Sequence, residues 1–202
     1  MQQAERKQET REKVLRAAGA ALRAHGPDGV GIADIMRQAG LTHGGFYAHF
    51  RNKDDLVAQS LAYVFSRQLA RWDRLDAGLA PAAQLAGFFE RYLSPSHRDH
   101  PATGCPLTTL GNDIARLPPA VRREFDQGMR AIVGKLAGLL LDGTQAGRMA
   151  CAHSMLAEMV GAVMLSRAVA ERALSDHILA EARNSLRHRA GLPPANEEPN
   201  HV

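Results

Sequence analysis

The amino-acid sequence predicts an all-α protein of about nine helices, a helix-turn-helix at the N-terminal end and a larger helical part after it. Three observations lead there. Apolar residues recur at i, i+3, i+4 and i+7 through most of the chain, with no alternating pattern of useful length and no internal repeat. Residues 31–53, GIADIMRQAGLTHGGFYAHFRNK, hold two short helical segments about one glycine. The charge is also unevenly placed. Residues 1–74 carry 12 Lys and Arg against 8 Asp and Glu, and residues 75–202 carry 13 of each, so the whole net +4 lies with the helix-turn-helix. A nucleic-acid partner requires that placement; a plain solvated face is the alternative.

Taken in order, Val14, Ala18, Ala21 and Leu22 share one face of a helix over 10–25, which Gly26-Pro27 stops. Ile32, Ile35, Met36 and Ala39 make the next, and Gly40 supplies the positive φ that ends it. Leu41 turns inward, and Thr42 is the expected N-cap of the second helix-turn-helix helix. Phe46 and Phe50, four apart, anchor that helix, and with Ile35 and Leu41 they complete a three-helix core. Leu56, Val57, Leu61 and Val64 start a helix expected over 54–75, which 77–81 breaks. Further stripes follow at Leu85–Leu93, Leu107–Leu117, Val121–Leu140 and Met155–Met164, and Ser175 is expected to cap the last helix. Segment 94–105 is expected to lack structure, and 191–202, rich in Pro, Asn and Glu, to be a disordered tail. The expected segments are 1–53 with the helix-turn-helix, 54–76 as a connecting helix and 77–190 as a C-terminal helical part.

The run AGLTHGGFYAHFRNKDDL resembles the signature of the tetracycline-repressor (TetR) family of bacterial transcription regulators. Motif-level similarity covers residues 10–61; beyond that only the number and order of helices match. One departure is that Gly31 stands where the family carries Ser or Thr as a cap, which removes one hydroxyl. The resemblance implies that Thr42, Tyr47, His49 and Lys53 hold DNA phosphates while His43, Gly44 and Gly45 approach the bases. Tyr47 and His49 as half-buried packing residues is the bland alternative. Arg37 is expected to be a solvated surface residue. The resemblance further implies a homodimer formed by the last two helices, a double-stranded pseudo-palindromic operator, and a small effector bound among the C-terminal helices. Phe88, Phe89, Tyr92, Phe125, Met155 and Met159 are the candidate pocket, with plain core packing as the other reading. The implied mechanism is a pendulum-like change of the 54–75 helix that alters the spacing of two recognition helices, which must match one DNA turn of roughly 34–36 Å.

Other classes fit less well. The N-terminal stretch MQQAERKQETREK has no apolar core, no apolar run approaches the roughly 18 residues of a membrane span, and a cytoplasmic protein is expected. Two cysteines make neither a disulfide framework nor a zinc site, and His97, His100 and Cys105 fit no common metal spacing, so no metal and no cofactor is expected. An architectural DNA protein would spread its basic residues over the chain. An enzyme built on 94–105 would need a Ser/His/Asp or metal constellation that is not there, so no enzymatic activity is expected. Cys105, before Pro106 at an expected helix start, is a candidate sensor thiol, and an inert small residue is the alternative. Cys151, between alanines, is expected in the core. Val163 and Leu186 are expected at the dimer interface.

Overall fold

In the computed structural model, which describes residues 2–193, the chain forms nine α-helices and two 3-10 helices. No strand occurs among the described residues. The order is α1 (Gln2–His25), α2 (Ile32–Gln38), a 3-10 helix (His43–Ala48), α3 (Lys53–Leu75), α4 (Pro81–Tyr92), α5 (Pro95–Asp99), a 3-10 turn (Pro101–Thr103), α6 (Leu107–Ile114), α7 (Pro119–Leu139), α8 (Gln145–Ala168) and α9 (Arg172–Arg189). Two compact units result. One holds the described residues to Leu69 together with Pro101–Met129, the other Ala70–His100 and the described residues from Arg130. Long helices α3 and α7 each supply residues to both.

The first unit is built around an apolar cluster of Val14, Leu15, Ala18, Ile35, Met36, Phe46, Phe50 and Leu56. Leu41 and Tyr63 pack against its edge. The expected three-helix core is therefore present. Gly19 lets α1 lie close to α3, since an added Cβ would stand 2.5 Å from Val64 Cγ2. Segment 101–129, placed by sequence with the C-terminal part, packs here instead, with α1 against both the 3-10 turn and α6.

In the second unit the core comes from Leu85, Phe89, Leu93, Ile132, Leu136, Met155, Met159, Val163 and Leu186, all buried. Trp72 stacks flat on Phe88, ring centroids 3.7 Å apart. Charged groups are buried here too. Asp76 accepts two 2.8 Å bonds from Arg91. Arg98, 4% exposed, donates to Ser175 Oγ at 2.7 Å, Asp176 at 2.5 Å and Asp99 at 2.8 Å.

Several sequence expectations are corrected. Segment 94–105 is not structureless: Ser94 Oγ accepts from His97 N at 3.1 Å and Pro95 takes the first position of α5. Ser175 does not cap the last helix, which starts after Glu171; its hydroxyl is buried and donates to Ser166 O at 2.5 Å. Pro106 is itself the cap of α6, so Cys105 stands one residue further from that helix. α8 is longer than its stripe, capped by Thr144 Oγ1 at 3.1 Å from Gly147 N. It is also long and apolar enough to cross a membrane by length and composition, with a mean hydropathy of 1.4 over 18 residues; isolated polar residues hid that run from a residue-by-residue reading. Val163 and Leu186 are inside the protomer, not on its surface. Cys151 is half-buried. The expected tail lies outside the described residues from 194 onward.

Candidate nucleic-acid interface

The turn between α2 and the 3-10 helix follows from a single glycine. Gly40 has φ +74, Gly40 N donates to Arg37 O at 3.0 Å, and Leu41 N donates to Met36 O at 2.9 Å. This crossed pair closes a helix C-terminus through a left-handed residue, and only Gly reaches that conformation without steric cost. The chain then reverses, Leu41 turns its side chain to the core, and Thr42 sits extended at the head of the next element.

That element was expected as an α-helix and is a 3-10 helix of six residues. Gly44 and Gly45 are poor helix formers, and a six-residue segment gains little from i→i+4 bonding, so the tighter turn prevails. Phe46 and Phe50 hold it down, their rings stacked at 5.6 Å. Thr42 occupies the N-cap position, but its side chain caps nothing; the hydroxyl is exposed and uncommitted. His43 and Gly44 are exposed, and a Cβ on Gly44 would meet open space. Gly45 is half-buried, its missing Cβ directed to within 3.7 Å of Met36 Cε. Tyr47 stands 70% exposed on the edge of Phe46, ring centroids 5.1 Å apart.

His49 is half-buried, and its Nδ1 is buried without a hydrogen-bond partner. Burial first, then the positive charges of Lys7 and Arg11, hold its pKa below the ordinary histidine value. The imidazole is neutral at pH 7. Because Nδ1 has nothing to donate to, the proton belongs on Nε2, a neutral donor. Lys53 opens α3. The start of α3 is fixed by Asn52 Oδ1, which accepts from Asp55 N at 2.8 Å, and by Asp55 Oδ2, which accepts from Arg51 N at 2.9 Å. This reciprocal cap was readable in the spacing Asn52-x-x-Asp55 and was missed. Asp55's pKa is lowered although partial burial opposes that; the bonds from Arg51 and Gln59 outweigh it. Arg37 is exposed beside Asp34, at 2.5 Å.

The two other candidate groups are placed differently. Phe88, Phe89, Tyr92, Met155 and Met159 are all buried in the second unit, whereas Phe125 belongs to the first and packs edge-on to Phe65 at 6.1 Å. A depression of about 260 Å³ in the second unit is lined by Arg98, Asp99, Arg167, Arg172 and Ser166 among others, and by none of those six. Cys105 is 1% exposed, in the first unit, with Arg23 beside it. Arg23 donates to Gly104 O at 2.7 Å and to Gly19 O at 2.8 Å. His97 Nδ1 donates to Tyr92 O at 2.7 Å. Among the described residues no group of three or more His, Cys, Asp and Glu is placed to hold a metal ion.

Residues 14–59 match the family described as bacterial regulatory proteins, tetR family, and residues 81–182 match the tetracyclin repressor-like C-terminal domain. The transcriptional regulator AcuR of Cereibacter sphaeroides is 28% identical over 144 residues, which cover 70% of this chain and 66% of that regulator, just under two thirds of its length. The HTH-type transcriptional repressor NemR of Escherichia coli K12 is 22% identical over 142 residues, 68% of this chain and 70% of NemR. In fold, the crystal structure of the reduced form of E. coli NemR superposes with a TM-score of 0.76 at 19% identity, covering 89% of this chain and 96% of that one. A TetR regulator of Chloroflexus aurantiacus gives 0.75 at 24% identity, covering 93% and 96%. The C-terminal match alone takes in 102 of the 202 residues, and the chain belongs to the tetracycline-repressor (TetR) family of DNA-binding transcription regulators.

Proposed function

We propose that the protein is a cytoplasmic, homodimeric repressor that binds a pseudo-palindromic double-stranded operator and is released by a small effector. The observation that carries this reading is the surface of the 3-10 helix and the start of α3. Thr42, Tyr47 and Lys53 offer a hydroxyl, a phenol and an ammonium, His49 a neutral N–H, and His43 and Gly44 leave the approach to base edges open. Members of the family bind DNA as dimers, and one recognition element spans too few base pairs for specificity, so two must be linked. Met164 and Leu165 on α8 and Leu174 on α9 are large apolar side chains left exposed, a surface that a second copy would cover. The effector would lodge in the core that holds Phe88, Phe89, Tyr92, Met155 and Met159, opening space among side chains of adaptable shape. Its binding would act on DNA through α3, which contributes to both units.

DNA protection mapping upstream of the coding region tests the operator. Lys53→Ala is expected to weaken binding on every sequence alike and to flatten the slope of log K against log salt by about 0.9 for each protomer bound. An unchanged slope removes Lys53 from the phosphate contacts. Leu165→Glu, and not a change at the buried Val163 or Leu186, is expected to give folded monomers in sedimentation; an intact dimer would move the interface elsewhere.

A second reading concerns Cys105 as a sensor thiol, favoured by the guanidinium of Arg23 beside it, which stabilises a thiolate. The fold neighbour solved in a reduced form supports asking whether this chain also has an oxidised one. Burial opposes attack, so reaction requires local opening of the 101–106 segment. Under this reading Cys105 is alkylated faster than the half-buried Cys151 and DNA is released, while Cys105→Ser binds DNA and ignores the reagent. Slower alkylation than Cys151 leaves a non-covalent effector as the signal.

A further inference from the structure

The helix α1 extends well beyond the core it packs on, and the extension is basic on one side. Val14 is the first fully buried residue of α1; residues 4–9 are exposed. At 1.5 Å per residue, Lys7 stands about 10 Å beyond Val14 along the helix axis, and Arg11 about 5 Å beyond it. Val14, Leu15, Ala18, Ala21 and Leu22 mark the buried stripe. With about 100° per residue, Lys7 and Arg11 both fall within roughly 20° of the centre of that stripe, whereas Arg6, Lys13 and Arg16 fall more than about 100° away. The two residues thus continue, past the end of the core, the face that α1 turns to the helix-turn-helix.

Contacts agree with that projection. Arg11 Nη2 donates to Gln59 Oε1, Gln59 Nε2 donates to Asp55 Oδ1 at 2.9 Å, and Asp55 also accepts from Arg51 Nη2 at 3.2 Å. A chain of side chains therefore pins Arg11 to the first turn of α3, the turn that begins with Lys53. On the other side, Lys7 and Arg11 are near enough to His49 to disfavour its protonation. Among the described residues neither Lys7 nor Arg11 makes an ion pair, and Arg11 reaches Asp55 only through Gln59. Like charges kept together without a compensating anion cost stability, and a polyanion is the partner that would offset this.

We infer that Lys7 and Arg11 of α1 contact the DNA phosphate backbone next to the phosphate bound by His49, so that the operator is gripped from α1 as well as from the helix-turn-helix. This rests on the DNA-binding reading above. The two residues position the protein on the duplex and read no bases.

The test is the salt dependence of binding to a duplex selected by the wild-type protein from a random-sequence pool. Lys7→Ala and Arg11→Ala are each expected to flatten the log K against log salt slope by about 0.9 per protomer bound. Arg11→Lys keeps the charge and is expected to restore the wild-type slope even if the Gln59 contact weakens. Lys13→Ala and Arg16→Ala, on the opposite face, are expected to leave the slope as it is. Thermal unfolding of each variant confirms that it is folded. Wild-type slopes for Lys7→Ala and Arg11→Ala, with the slope reduced in Lys53→Ala, would overturn this inference alone. Equal flattening by Lys13→Ala would overturn it too, as an effect of net charge. Failure of the wild type to select any duplex would refute the DNA-binding reading itself.

Discussion

The two units of this molecule are held together by different means. In the first, the core is apolar, and among the described residues the fully buried polar ones are Ser60 and Thr108. The second buries Asp76, Arg98 and Arg187, each tied to an opposite charge on another element or turn. The contrast follows from what each surface has to do. A surface that meets phosphates keeps its cations at the exterior, where Arg37 and Arg51 are held only by local pairs with Asp34 and Asp55. Its support is assembled from uncharged side chains. Burying a charge brings a desolvation cost that only a well-placed partner offsets, and removing one partner exposes that cost. Such pairs fix which elements meet, and in the second unit they join α5 to α9 and α4 to α9.

Breaking a buried pair should therefore give the largest effect on stability. Arg98→Ala removes the guanidinium that Asp99, Asp176 and Ser175 surround, and leaves two part-exposed carboxylates with only Arg172 beside them. An unfolding cost of about 2–3 kcal/mol is expected from the lost charge-assisted hydrogen bonds, since the two carboxylates left behind reach solvent. Chemical denaturation measures it, and a loss below 1 kcal/mol would mean that the network is ornamental. DNA binding by the folded fraction should be retained.

The helix-turn-helix offers the next largest effect, through backbone and not through charge. Gly40→Ala meets no atom within 4 Å, so the cost is that of the left-handed conformation alone, about 1–2 kcal/mol. A neutral Gly40→Ala would show that the turn relaxes to another geometry. Gly40 also marks where sequence was most informative. The stripe of Ile35 and Met36, the glycine, the inward Leu41 and the pair Phe46 and Phe50 sit at spacings that only one local fold satisfies. By contrast, α5 is five residues long, too short for any periodicity, and only Ser94-Pro95 announced it. The pairing of Arg98 with Ser175 and Asp176 spans 77 and 78 positions. Nothing local distinguishes that arginine from a solvated one. The association of 101–129 with the first unit has the same origin, since it rests on contacts of α1 with segments some eighty residues away. His49 illustrates the remaining gap: its spacing to Tyr47 was legible, but its depressed pKa depends first on burial and then on Lys7 and Arg11 of α1, both set by tertiary packing.

Tyr47 separates the reading surface from its support more finely. Its ring is mostly exposed and its hydroxyl has no intramolecular duty, so Tyr47→Phe should leave the unfolding midpoint unchanged. Operator affinity should fall by about 1 kcal/mol, the worth of one hydrogen bond. Equal affinity would assign Tyr47 to packing against Phe46 only.

The smallest expected effect tests the state of His49. Its folded pKa lies below the unfolded value of about 6.5, so the unfolded chain takes up the proton first. The share of stability that His49 carries is present above pH 6.5 and is lost as pH falls through and below that value. His49→Gln should flatten this part of the stability profile. For DNA the neutral Nε2–H suffices as a donor, and Gln supplies a comparable one, so His49→Gln should bind better than His49→Ala at pH 7.5. A phosphate beside the ring raises its pKa, so wild-type affinity should increase as pH falls toward the histidine range. In Lys7→Ala the increase should begin at higher pH, because one of the two repelling charges is gone. An onset that is the same in Lys7→Ala as in the wild type would show that the repulsion from α1 does not act on this ring.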